Sequence, residues 1–162
     1  MQRFRDRVAV ITGAGSGIGL ASARRLAAEG ATIVAVDIDE AAGKAAAEAT
    51  GGTFIAADVS REDDVQHLYE SVAGLHGRVD IAFNNAGISP PEDDSILLTG
   101  LEAWRRVQEV NLTSVYLCCK HVIPYMQRQG RARSSTPRRS SRCSARRPRR
   151  SPTPRPRAGC WP

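Results

Sequence analysis

The stretch Val8–Gly19, VAVITGAGSGIG, joins a run of four apolar residues to a turn with glycine at positions 13, 15, 17 and 19. A helical pattern begins at once in Leu20-Ala21-Ser22-Ala23-Arg24-Arg25-Leu26-Ala27-Ala28. Strand, glycine turn and helix is the arrangement that brings backbone N–H groups up to a pyrophosphate. A Cβ in such a turn would block close approach or forbid the required φ. Taken alone, the motif also fits an ordinary strand–helix connection, so the remainder of the chain has to decide.

Working outward, Gly30 stands where a helix would end, and Thr32–Val36 is a second strand, apolar throughout as a strand covered on both faces must be. Asp37 follows it, 18 residues after Gly19, where a dinucleotide fold places an acid on the adenosine ribose hydroxyls. The same carboxylate would repel a 2′-phosphate and so favours NAD over NADP. A turn or helix-capping aspartate is the alternative, although Asp39 is better placed to cap. An Ala-rich helix is expected over Glu40–Ala49, a third strand over Thr53–Ala57 running into Asp58-Val59, and a helix over Arg61–Leu75 with Ser60 as its cap. In that helix Val65, Leu68, Tyr69 and Val72 form one stripe. Val79–Phe83 is the fourth strand and leads into Asn84-Asn85-Ala86-Gly87.

The segment Ile88–Gly100 holds two prolines and three consecutive acids, and is long for a strand–helix connection. It either edges a site or is a solvated loop. One long helix is expected over Leu101–Gln129, with Trp104, Val107, Val110, Val115, Cys118 and Val122 broadly on one side. Asn111 lies inside it, and a polar group among apolar neighbours needs partners. Strand–helix alternation through four units implies an α/β fold, a Rossmann-like doubly wound parallel sheet.

Charge divides the chain. Residues 1–130 carry 12 Lys and Arg against 17 Asp and Glu, while residues 131–162 carry 11 Arg and no acid. The second part also holds six of the nine prolines and almost no large apolar residue. It is expected to be a disordered basic tail, because it buries too little apolar surface to offset its ordering entropy. The expected division is therefore a dinucleotide-binding domain over 1–130 and a tail over 131–162. Non-specific nucleic-acid binding is the alternative for eleven arginines, but the tail has one aromatic residue, Trp161, and no reading motif. Cys118 and Cys119 read as small buried residues, and no cysteine spacing indicates a metal site. The N-terminus lacks a signal-peptide core and no run approaches a membrane span, so a cytoplasmic location is expected.

Four signals now stand in one order: TGAGSGIG at Thr12–Gly19, Asp58-Val59, NNAG at Asn84–Gly87, and Asn111 in the following helix. Together they resemble the short-chain dehydrogenase/reductase family, close to its 3-oxoacyl-reductase-like and glucose-dehydrogenase-like members. The resemblance covers residues 1 to about 130. It implies an NAD-dependent oxidoreductase moving hydride between nicotinamide and a small secondary alcohol or ketone. Gly13, Ser16, Gly17, Ile18 and Gly19 would line the pyrophosphate, Asp37 the adenine-side ribose, and Asp58 and Val59 the adenine. Asn85, Ala86 and Gly87 would lie along the nicotinamide-side ribose. Asn111 would be the catalytic Asn, holding a water in a proton relay. His67, His76 and His121 match no role and are expected at the surface or in helix packing.

The family's chemistry also needs a Ser and a Tyr-x-x-x-Lys pair, since a Tyr near pKa 10 is a poor base without a cation beside it. No tyrosine follows Tyr125 and no lysine follows Lys120. A family-like segment Q-I-S-Y-T-A-S-K-G-G-V-L-A-M, written in GC-rich codons and read one base late, becomes R-S-P-T-P-R-P-R-A-G-C-W-P and then a stop. That is Arg150–Pro162, and a similar shift yields Ser134–Arg138. The expectation is a tail from about Arg131 that is a frameshifted reading of the catalytic segment. It predicts an inactive, poorly stable chain with no neighbour for the fourth strand, an uncovered apolar helix face and an incomplete oligomer interface.

Overall fold

A computed structural model describes residues 2–129 and the backbone of Ser134–Ser135. The order is β1 (Val8–Thr12), α1 (Gly17–Ala28), β2 (Thr32–Asp37), α2 (Glu40–Thr50), β3 (Thr53–Ala56), α3 (Glu62–His76) and β4 (Ile81–Phe83). Then come α4 (Leu101–Gln108), a π-helical segment (Glu109–Thr113), α5 (Ser114–Arg128) and β5 (Ser134–Ser135). The strands form one parallel sheet in the order β3-β2-β1-β4-β5. The chain reverses its direction of travel across the sheet between β1 and β4, the switch point at which such folds open a crevice at their strand ends.

Strand alternation builds two apolar layers. Val8 and Val10 of β1 and Val34 and Val36 of β2 face Val65, Leu68, Tyr69 and Val72 of α3 and Leu117, Cys118, Val122 and Met126 of α5. Ala9, Ile11, Ile33 and Ala35 face the opposite layer, with Ala23 of α1 and Ala46 and Ala47 of α2. The all-apolar reading of β1 and β2 follows from this double coverage. The stripe expected in α3 is buried as a unit.

At the lower edge of the sheet, Asp80 draws three donors together. Arg7 and Arg78 approach its carboxylate at 2.8 and 2.6 Å, and the Val8 N–H donates to it at 3.0 Å. Burial pushes this carboxyl's pKa up, but the hydrogen bonds from Arg78, Val8 and Arg7 outweigh it and hold the pKa at about 2.

Several expectations are corrected. The helix over Leu101–Gln129 is interrupted by the π-helical segment, which contains Asn111. Trp104 is 47% exposed rather than packed with Val107. Ser60 does not cap α3; its hydroxyl donates to Asp58 instead. A neighbour for β4 is present, since Ser134 and Ser135 pair in parallel with Ala82 and Phe83. Asp39 does cap α2, accepting the Ala42 N–H at 3.0 Å. The expected basic tail lies, apart from that two-residue strand, outside the described residues. Among the described residues no helix is long and apolar enough to cross a membrane.

Candidate functional site

The C-terminal ends of β1, β2, β3 and β4 open into a cleft of about 510 Å³. It brings together Gly13, Ser16, Gly17 and Ile18 from the first turn, Asp37 after β2, Asp58 and Val59 after β3, and Asn85, Ala86 and Gly87 after β4. These are ten of the residues picked out in the sequence for a cofactor. Two picked residues, Gly19 and Asn111, lie outside the lining.

Gly19 acts from behind the turn. A Cβ there would sit 2.0 Å from the Gly13 carbonyl oxygen and 2.7 Å from Asn85 Nδ2. Gly13 has φ +64°, and a Cβ on it would meet Ala86 Cα at 2.9 Å. Gly13 is thus required because the Ala86 backbone presses onto the turn, and Gly19 because α1 starts directly against the Gly13 carbonyl and the Asn85 side chain. Thr12 sews the two segments together. Its buried hydroxyl accepts the N–H groups of Asn85 and Ala86 at 3.0 and 3.1 Å, and Asn85 Nδ2 donates to the Thr12 carbonyl at 3.1 Å.

On its open side the turn suits an anion. Gly17 has φ +50° and nothing within 4 Å of a Cβ position. Ser16, the residue before α1, caps it with no side-chain hydrogen bond. The first N–H groups of a helix have no partner within it, and here they border the cleft. The turn therefore has the form a diphosphate requires: room, free donors and the positive end of a helix.

At the far end of the turn, Asp37 Oδ2 accepts the Gly15 N–H at 2.8 Å and Oδ1 accepts the Asp39 N–H at 3.0 Å. Its carboxylate is held on the cleft wall with lone pairs left for a vicinal diol. After β3, Asp58 Oδ1 accepts the Ser60 N–H at 3.0 Å and the Ser60 hydroxyl at 2.6 Å.

Asn111, expected to need partners among apolar helix neighbours, finds them in a peptide unit outside its own helix. Its Oδ1 accepts the Ile88 N–H at 2.7 Å and its Nδ2 donates to the Ile88 carbonyl at 2.8 Å. The carboxamide therefore pairs with one peptide unit of the strand-end segment, and a π-helical turn at this position offers it. Cys118 is buried, and burial pushes its thiol up to about 12, which fits packing rather than nucleophilic use. His121 shares Glu62 with Lys120; Glu62 is held below its ordinary range, first by the Lys120 hydrogen bond and then by that of His121. Among the described residues no group of three or more His, Cys, Asp or Glu could hold a metal.

Sequence reasoning missed Thr12 as the fastener, and Arg106, Glu109 and Val110 as the cleft's outer wall. Thr12 was visible as a polar residue ending an apolar strand. The wall residues carried no signal, because they reach the cleft only through the packing of α4 and the π-helical segment.

A glycine turn and an uncapped helix at the switch point of a parallel sheet, with an acid ending the second strand, define a Rossmann-like dinucleotide-binding domain. Residues 13–140 match the family described as enoyl-(acyl carrier protein) reductase. The chain is 41% identical to cis-4-hydroxycyclohexanecarboxylate dehydrogenase of Sinomonas cyclohexanicum over 133 residues, covering 80% of this chain and 53% of that protein. It is 41% identical to meso-2,3-butanediol dehydrogenase of Serratia marcescens over 127 residues, 76% of this chain and 50% of that one. The solved structure of 3-ketoacyl-(acyl-carrier-protein) reductase from Brucella melitensis complexed with NADH is 39% identical, with a TM-score of 0.74 over 78% of this chain and 53% of that chain. The chain belongs to the short-chain dehydrogenase/reductase family, a family of oxidoreductases. It spans about half the length of the curated relatives it matches.

Proposed function

We propose that the chain holds NAD(H) in this cleft through a domain formed by residues 1–130, and that the 162-residue chain performs no turnover. The observation that carries the reading is the convergence of ten picked residues on one cleft at the ends of four strands. The pyrophosphate falls to Gly13, Ser16, Gly17 and Ile18, with Gly19 keeping the helix close. Asp37 takes the adenine-side ribose, Asp58 and Val59 the adenine, and Asn85, Ala86 and Gly87 the nicotinamide-side ribose. The Asp37 carboxylate repels a 2′-phosphate, so NAD is favoured over NADP.

Bound there, the nicotinamide would supply or accept hydride for a small secondary alcohol or ketone. The chain's own residues bind and orient. Thr12 fixes the Asn85 and Ala86 backbone against the turn, and Asn111, the catalytic Asn by family position, ties down Ile88. Proton transfer at a substrate oxygen is where the residues run out. No Tyr follows Tyr125 and no Lys follows Lys120. The one Tyr-x-x-x-Lys spacing, Tyr116 and Lys120 on α5, lies outside the cleft lining, with Lys120 donating to Glu62, so it is not placed to hold and move that proton.

Calorimetric titration with NAD and an NADH-oxidation assay with a panel of ketones test the two halves of the proposal. Saturable binding and background turnover are expected. Absence of binding would overturn the cofactor site, and clear catalysis would overturn the inactivity. We further propose the frameshift as the origin of residues from about Arg131, on the composition break and the residue match. Sequencing the gene across codon 130 tests it; an alternative frame with no Ser and Tyr-x-x-x-Lys sinks it. Specific nucleic-acid recognition by the tail is not part of the proposal.

A further inference from the structure

The turn between β3 and α3 is pinned from two directions. Asp64, in the first turn of α3, does not line the cleft. Its Oδ2 accepts the Asp58 N–H at 3.0 Å, and its Oδ1 lies 3.5 Å from Arg61 Nε. From the other side, Ser60 gives both its N–H and its hydroxyl to Asp58 Oδ1. The main chain and one carboxylate oxygen of Asp58 are therefore fixed. The other oxygen, Oδ2, takes no hydrogen bond from the described residues.

We infer that Asp64 is a positioning residue for base selectivity: by holding the Asp58 peptide, it sets Asp58 Oδ2 as a fixed acceptor that selects a purine with a 6-amino group over one with a 6-oxo group. The inference rests on the proposed placing of adenine against Asp58. An ionised carboxylate only accepts hydrogen bonds. A 6-amino group gives it a donor, whereas a 6-oxo group turns lone pairs toward lone pairs, and the N1–H beside that group pairs with the carboxylate only if the carboxylate shifts by one ring position. A carboxylate on a loose turn could swing into water and escape that penalty. One held by Asp64 and Ser60 can escape it only by breaking those bonds.

The test titrates the full 162-residue chain with NAD and with nicotinamide hypoxanthine dinucleotide. The parent chain is expected to favour NAD about tenfold, the worth of one hydrogen bond to a charged group. Asp64→Ala is expected to bring the two affinities within about threefold of each other, as Asp58→Ala does. Asp64→Asn keeps an acceptor oxygen for the Asp58 N–H and is expected to retain most of the preference. A purely structural role would weaken both dinucleotides in proportion and leave the ratio alone; that result overturns the inference, as does an Asp64→Asn ratio that collapses with Asp64→Ala. NAD binding by the parent chain with no preference overturns it while leaving the cofactor site standing. Failure of the parent chain to bind either dinucleotide overturns the cofactor site, and this inference with it.

Discussion

Asp80→Asn is the substitution whose consequence can be worked furthest from the structure. It removes the charge that Arg7 and Arg78 converge on, and weakens the acceptor of the buried Val8 N–H at the start of β1. The side chain is 7% exposed, so solvent screening is slight. Its carboxyl is held at about 2 against an ordinary value of 3.8. Because the folded pKa is depressed, ionised Asp80 adds stability that is complete above the unfolded value and is lost as pH falls toward the folded one. That displacement corresponds to about 2–3 kcal/mol at neutral pH, with about half of it gone at pH 3. Urea denaturation of the parent chain and Asp80→Asn at pH 7 and pH 3 measures both quantities. The variant is expected to be less stable by that amount at pH 7, and the gap to shrink by about half at pH 3. An equal gap at the two pH values would show that the ion cluster does not anchor β1 to β4 in the way its geometry implies.

Gly19→Ala is expected to cost about 3 kcal/mol by urea denaturation, because its methyl would enter the space of the Gly13 carbonyl, whereas Gly74→Ala, in open space on α3, should be neutral or stabilising. A harmless Gly19→Ala would refute the close approach of turn and helix. Asp37→Ala is expected to weaken NAD about tenfold in a calorimetric titration and to narrow the preference for NAD over NADP; an unchanged ratio removes Asp37 from the ribose site. Asn111→Leu deletes both hydrogen bonds to Ile88 and should cost about 1–2 kcal/mol, with faster amide exchange at Ile88 as the local readout. Exchange at Ile88 that matches the parent chain would mean the segment is held by something else.

The fold was legible because its signals are local. Val8–Ile11 and Ile33–Val36 are apolar at every position, which only a sheet covered on both faces demands, and Val65, Leu68, Tyr69 and Val72 repeat at the helical spacing. The errors fell where the outcome depends on a distant partner. Trp104 has the right spacing for a buried face, yet it is left half exposed. Ser60 has the right identity for a cap, yet Asp58 two residues earlier takes its hydroxyl. The π-helical segment left no mark in the apolar pattern, and what accompanies it is a bond pair to Ile88, 23 residues back.

By itself, the sequence Val8–Gly19 determined a strand, a tight turn and a helix, since apolar runs and glycines act on their own neighbourhood. The spacing to Asp37 extended this toward a dinucleotide fold, and the resemblance carried by Asp58-Val59, Asn84–Gly87 and Asn111 added the rest of the site. Only the tertiary structure decided why each glycine is needed. Gly13 answers to the Ala86 backbone, and Gly19 to the Gly13 carbonyl and the Asn85 side chain, and Thr12 holds Asn85 and Ala86 against the turn from more than 70 residues away. It also decided that Gly19 supports the cleft from behind while Gly17 opens onto it. Close approach is a property of packed backbones, and a residue's type records that something must fit there without saying what.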